Sequence, residues 1–353
     1  MKLVLVKNIN SEEILARDIL DLDGKTLLKK GVVLNSRLVN TLIKHGIFYV
    51  YIYDENLSDI SLDDNLFNLK RNTLEALPNL FNDMISYNDN SLSNSLKIID
   101  ELIDYVESDV NINLNLYEVK SYDDYTYNHS VDTCIMSIFL GSNLNLKTEV
   151  LRNLALASLF HDIGKTSVPN YIVTKPGKLT TEEYKYMKLH PYFGKDILLK
   201  HKNLSLEVLN GVLQHHEKFN GTGYPANLKE HNISLFARII SICDVYSAIT
   251  SDRCYRKKFN PREGYELILS QSGTSFDPSM VQLFKSTFAI YPIGCAVLLS
   301  NNLIGYVVGQ NKGLPDRPLI RIVQDPLCNK ITPFEIDLKD NLNITISNSV
   351  SSY

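Results

Sequence analysis

The sequence predicts a multi-domain, mainly α-helical chain, with a small α+β module ahead of the helical part and a small β-rich module behind it. Three observations predict this. From about 117 to 288, apolar residues recur at helical spacing with few β signals. After 289, short β-prone runs alternate with turn residues. Before 54, strand-like runs flank one hairpin signal and one short helix. The chain has 353 residues, enough for about two or three domains and a sizeable core.

Residues 1–53 form the α+β module. Residues 3–6 are strand-like, and Asp23-Gly24 marks a hairpin between 14–22 and 26–34. Asn35-Ser36 can cap a helix through Leu38, Val39, Leu42 and Ile43, and 48–52 reads as a strand. Nothing here suggests chemistry; the module is a sensory or interaction unit, or a stabilising cap. Residues 54–116 are an acidic, Asn-rich linker with a helix around 66–81, then an amphipathic helix at 91–107 marked by Leu92, Leu96, Ile99, Ile103 and Val106. That helix either packs on the next domain or forms a homodimer. Residues 117–288 carry helices near 129–141, 147–160, 181–189, 192–201, 205–215, 236–250, 261–270 and 278–287. Residues 289–353 hold β-prone runs at 295–300, 303–309, 319–324 and 331–336, a small barrel or meander with a polar, frayed end from 348 to 353.

Composition narrows the function. A net charge of −4, from 36 basic and 40 acidic side chains, gives no electrostatic case for long nucleic acid. The 5 cysteines are scattered without a CxxC pair, so neither a disulfide framework nor a cysteine zinc site is expected. A reducing cytoplasm is the simplest location. The N-terminus turns polar too soon for a signal peptide, and no apolar run reaches the ~20 residues of a membrane span.

The chemistry centres on His161-Asp162-Ile163-Gly164-Lys165, which ends an apolar helical run. An adjacent imidazole and carboxylate suit a borderline divalent metal. The pair alone is weak evidence, but the chain has 8 histidines and most of them crowd between 129 and 231. His129 enters a helix, His190 precedes a proline, and His215-His216 are adjacent. Asp244 lies inside an apolar helix, which is costly unless the carboxylate is paired or metal-bound.

These residues, with His190-Pro-x-x-Gly194, His215-His216-Glu217, Gly221-Thr-Gly223-Tyr224-Pro225 and the Asp244 helix running on to Asp252-Arg253-x-Tyr255-Arg256, resemble the HD-GYP family. That family comprises bacterial phosphodiesterases that hydrolyse cyclic di-GMP, and the resemblance covers roughly 117–288. It implies a helical HD-type bundle. Its metal ligands would be His129, His161, Asp162, His190, His215, His216 and Asp244, with Asp162 bridging. Some members bind a third metal through a glutamate four residues before the first histidine. Tyr125 stands there, so two divalent ions are expected, iron or manganese. A hydroxide shared by metals roughly 3.5–4 Å apart would attack phosphorus.

The resemblance also implies roles for other residues. Asp162 and Lys165 would be catalytic, Lys165 neutralising charge on the phosphate. Gly223, Tyr224, Arg253 and Arg256 would bind substrate, Tyr224 by stacking on guanine. Helix-end salt bridges are the alternative for the arginines, and a turn bracing His215-His216 the alternative for the glycine-rich loop. Glu217 orients a ligand or holds a loop. Ser247 and Cys254 depart from the family's usual aspartate and proline. The reaction implied is opening of cyclic di-GMP to pGpG, with or without a second cut to GMP. A cyclic-dinucleotide receptor with little turnover and a phosphodiesterase for 3′,3′-cyclic GMP-AMP remain as alternatives.

Overall fold

The structure, a computed structural model, describes every residue except 10–11, 21–24, 46, 48, 61–63, 88–90, 109–113, 116–126, 203, 251–260 and 350–353. It divides into two compact units. One comprises Met1–Asp64, Asn111–Asp123 and Ser286–Tyr353; the other comprises Asn65–Val110 and Asp124–Lys285.

In the first unit β1 (Lys2–Leu5) runs antiparallel to β4 (Tyr49–Ile52), with Leu3 opposite Tyr51. Between them, β2 (Ile19–Leu20) and β3 (Thr26–Leu28) pair as the arms of the expected hairpin, whose Asp23-Gly24 turn lies outside the described residues. Helix α1 (Ser36–Lys44) starts where the sequence places its cap: Asn35 Oδ1 accepts from Leu38 N at 2.9 Å. Val6, Leu15, Leu34, Leu42 and Ile52 form the core of this part.

In the same unit β5 (Leu114–Asn115) pairs parallel with β6 (Phe288–Ala289), and a five-stranded antiparallel sheet is built from β7 (Ala296–Leu299), β8 (Ile304–Gly309), β9 (Leu319–Gln324), β10 (Lys330–Asp337) and β11 (Ile346–Ser349), in the order β10-β9-β8-β7-β11. Alternation puts Val297, Leu299, Val307, Ile320 and Ile322 into one core. One expectation is corrected here: Asn348 and Ser349 are not frayed but lie in β11, paired to Leu298 and Val297. An edge strand needs only its backbone to pair, so polar side chains conceal it. Nothing in the sequence links the two ends of the chain, yet they share this unit. Leu3 N donates to Gly294 O at 3.0 Å, and Arg321 forks onto Asp59 at 2.6 and 2.8 Å.

The second unit is helical. Helix α2 (Asp64–Ser86) is longer than expected and buries Leu66, Leu74, Leu77, Phe81 and Met84, so most of the sequence's linker is core-forming helix. Helix α3 (Ser91–Ser108) packs its Ile99, Leu102 and Ile103 stripe against α4 (Tyr127–Asn143) and α5 (Thr148–Leu159). The stripe that suggested a homodimer is thereby covered within the unit. Helix α4 is buried on every side from Asn128 to Gly141, as is most of α10 (Leu235–Thr250). A helix apolar all round belongs at the centre of a bundle. The short α6 (Asn170–Val173), α7 (Thr181–Met187), α8 (His190–Leu198) and α9 (Leu206–Gln214) lie between them in sequence, and α11 (Pro261–Ser270) and α12 (Pro278–Thr287) follow. No helix among the described residues is long and apolar enough to cross a membrane.

Candidate metal centre

Five helices deliver the site. His129 projects from the first turn of α4. His161 and Asp162 follow the end of α5, His190 opens α8, His215 ends α9, and Asp244 sits inside α10. The turn after His161 can pack against α8 because of Gly164: a Cβ there would stand 1.9 Å from His190 O and 2.4 Å from Gly194 N. No side chain fits, so glycine sets the approach of the Asp162 and His190 elements.

Three of the histidines are held in the same way. The Nδ1 of His161 donates to Ser158 O at 2.7 Å, that of His190 to Met187 O at 2.8 Å, and that of His215 to Val212 O at 2.7 Å. A carbonyl only accepts, so each Nδ1 carries the proton and each Nε2 keeps a lone pair for the centre. His190 Nε2 lies 3.3 Å from Asp162 Oδ1 and 3.3 Å from His215 Nε2. His129 Nε2 is 2.9 Å from Asp244 Oδ1, and His161 Nε2 is 3.4 Å from Asp162 Oδ2 and 3.8 Å from Asp244 Oδ1. His216 Nδ1 is 3.8 Å from Asp244 Oδ2. The potential ligand atoms fall into overlapping sets: Asp162, His190, His215 and His216; His129, His161 and Asp162; His161, His215 and Asp244. Within each set they lie within 4.8 Å of one another.

The donor set fits divalent cations. The buried atoms His161 Nε2 and Asp162 Oδ1 have no hydrogen-bond partner. Buried polar atoms are rarely left so without a ligand or ion to meet them. Asp162, shared by two of the sets, has the two oxygens that bridging would need. Imidazole with carboxylate is the donor mixture of borderline first-row metals.

Residues 121–280 match the HD domain family, and 296–353 match a KOW domain associated with HD domains. A cyclic di-GMP phosphodiesterase of Pseudomonas aeruginosa is 41% identical over 214 residues, which is 61% of this chain and 51% of that protein. One of Borreliella burgdorferi is 31% identical over 200 residues, 57% of this chain and 52% of that protein. A 3′3′-cGAMP-specific phosphodiesterase of Vibrio cholerae is 36% identical over 128 residues, 36% of this chain and 24% of that protein. The chain thus spans about half the length of the first two and less of the third.

Charge in the HD domain is arranged around two carboxylates. Burial opposes ionisation of Asp162, but Lys165 and His161 outweigh it and hold the carboxyl well below its usual range. Asp244 is likewise held down, against its burial, by His129 and His161. Burial, with His216 beside it, pushes His215 well below the ordinary imidazole value, and burial takes His216 to about 3. Both rings are therefore neutral near neutrality, the form that binds metal. For His161, burial is outweighed by Asp162 and Asp244, which raise it. A cation in the cluster would displace that proton.

Around this centre the HD domain places the remaining sequence candidates. Lys165 Nζ is salt-bridged to Asp162 Oδ2. The Tyr224 ring lies over His216, centroids 4.8 Å apart, and Tyr224 N donates to His216 O at 3.2 Å. Among the described residues Glu217 makes no hydrogen bond to a candidate ligand histidine. Its Oε1 accepts from Ala226 N at 2.6 Å and its Oε2 from Leu228 N at 3.1 Å, so it holds the glycine-rich loop. Gly223 is packed so closely that a Cβ would lie 2.2 Å from Lys218 N. Arg253 and Arg256, with Tyr125, Asp252 and Cys254, lie outside the described residues. Ser247, an expected departure from aspartate, puts its Oγ 3.0 Å from His129 Nδ1. The sequence did not point to Ser158, Met187 and Val212, which act through backbone carbonyls. Only their constant position three residues before each histidine could have signalled them.

Proposed function

We propose that this chain is a metal-dependent phosphodiesterase that opens cyclic di-GMP to linear pGpG. The observation that supports it most is the convergence of His129, His161, Asp162, His190, His215, His216 and Asp244 on one cluster, in which all but the partly exposed His216 are buried. The relatives named above act on cyclic dinucleotides, which fits the same reading. These residues would hold two divalent ions, iron or manganese, with Asp162 between them. Bound cations would supply Lewis acidity, activating water and neutralising phosphate charge.

The chain's own groups do the rest. The carbonyl-anchored rings of His161, His190 and His215 arrive oriented, so little ordering is left for binding. Lys165 already lies against Asp162. Its flexible ammonium can be shared with a phosphate oxygen as charge builds there. Tyr224, backed by His216 and a loop tied to Glu217, offers one ring face to a base. Arg253 and Arg256 are proposed to take the substrate's phosphates as bidentate donors.

The test is turnover of cyclic di-GMP by iron- or manganese-loaded protein, with His161→Ala as control. Wild-type conversion to pGpG that the variant lacks is expected. Intact substrate with both proteins would end the reading. Tight binding without turnover would instead favour a receptor. A second reading, hydrolysis of 3′,3′-cyclic GMP-AMP, is favoured by the Vibrio cholerae relative. Parallel turnover of the two substrates separates them.

A further inference from the structure

We propose that Lys188, held between the rings of Tyr184 and Tyr224, contacts the base edge of the cyclic dinucleotide and makes the site prefer guanine. The proposal rests on the phosphodiesterase reading and names the base-selecting group of that same site.

Lys188 is the C-cap that follows α7, two positions before His190. Its Nζ lies 5.2 Å from the Tyr184 ring centroid and 5.9 Å from that of Tyr224. Both distances are within the range in which a cation is attracted to an aromatic face. Tyr224 in turn lies on His216, so the ammonium is one ring removed from a candidate metal ligand. The neighbouring lysines are neutralised: Lys175 by Glu183 at 2.6 Å and Lys185 by Glu182 at 2.7 Å. Among the described residues no carboxylate pairs with Lys188. Ring faces attract an ammonium without occupying its three N–H donors, which stay available for strong acceptors.

The arrangement suits a purine more than a bare phosphate. Tyr184 is half exposed, leaving ring surface on which a base can stack. A lysine beside a stacked guanine meets two acceptors, N7 and O6, along one edge. Adenine presents N7 and an amino donor there, and that donor faces the ammonium unfavourably. Discrimination should therefore follow the base and not the phosphate, which all cyclic dinucleotides share.

The experiment compares wild type, Lys188→Met, Lys188→Arg and Lys185→Met on cyclic di-GMP, 3′,3′-cyclic GMP-AMP and cyclic di-AMP. It resolves kcat from KM in metal-loaded holoenzyme, with circular dichroism and metal content as checks on folding. Lys188→Met is expected to raise KM for cyclic di-GMP by about tenfold or more, the scale of one good base contact. It should lower kcat far less and bring the preference over cyclic di-AMP toward unity. Lys188→Arg, which keeps two donors for guanine, should retain the preference, and Lys185→Met should track wild type. An equal loss on all three substrates, or an unchanged preference in Lys188→Met, would overturn the assignment while leaving the phosphodiesterase reading standing. A wild type that turns over none of the three would remove both.

Discussion

His190 and His215 point their Nε2 atoms at each other across 3.3 Å, while the Nδ1 of each donates to a backbone carbonyl. With both protons on Nδ1, two lone pairs face one another. That contact is repulsive unless something electropositive stands against both. Metal should therefore act as a folding ligand. Saturating Mn²⁺ at about a thousand times its Kd is expected to stabilise the protein by about 4 kcal/mol. A thermal-shift titration checks this, and His190→Ala should lose most of the shift. Equal melting with metal and with chelator would contradict it.

Ser247 Oγ lies 3.0 Å from His129 Nδ1, on the far side of the ring from Asp244. A hydroxyl can donate to Nδ1 when Nε2 is protonated and accept from it when Nε2 binds metal; a carboxylate only accepts. Ser247→Ala is expected to weaken metal binding about 10–100-fold, the usual cost of losing such a support. Competitive titration against a chelating dye measures it. Unchanged affinity would show that the hydroxyl does not orient the ring.

Lys70 on α2 is paired with Asp132 on α4, both almost wholly buried, one helical turn from His129. Removing the cation alone leaves a carboxylate in a low-dielectric core. Lys70→Met should cost about 3–5 kcal/mol, and Lys70→Met with Asp132→Leu should recover much of it. Urea unfolding of the two variants decides. A single variant within about 0.5 kcal/mol of wild type would match an ordinary surface substitution and contradict the pairing.

Asp277 precedes α12, where its Oδ1 accepts from Ser279 N at 2.8 Å and its Oδ2 meets Arg238. Burial would raise its pKa, but the Ser279 and Arg238 donors outweigh it and lower it. A carboxyl whose pKa is lower in the folded state stabilises above its unfolded value, and the effect fades as pH falls through the folded value. Asp277→Asn should therefore cost about 1–3 kcal/mol near pH 7. The difference from wild type should shrink below about pH 3, under the ordinary carboxylate range. Equal differences at both pH values would mean that the ionised form contributes nothing special.

Much of the site was legible because its residues are unusual where they stand. Asp244 inside an apolar helix and adjacent His215-His216 have few roles outside a metal cluster. Most of the helices were legible from apolar spacing, but α2 runs on to Ser86, well past its expected end, and the short α6 carried no such signal. What the sequence conceals depends on partners far along the chain or on backbone atoms. Lys70 reads as a surface lysine until Asp132, 62 residues away, is folded against it. Glu217 looks equally able to orient a ligand or tie a loop, and only the position of Ala226 N decides. Strand β11 carries Asn348 and Ser349 because its pairing is made by peptide groups, which carry no side-chain signature.

The most direct test is elemental analysis of anaerobically purified, metal-saturated protein beside Asp162→Ala. Two divalent ions per chain are expected in the wild type, with a marked loss in the variant that lacks the carboxylate shared by two of the candidate ligand sets. A saturated wild type holding one ion or none, or an Asp162→Ala protein that keeps both, would contradict the paired-cation centre.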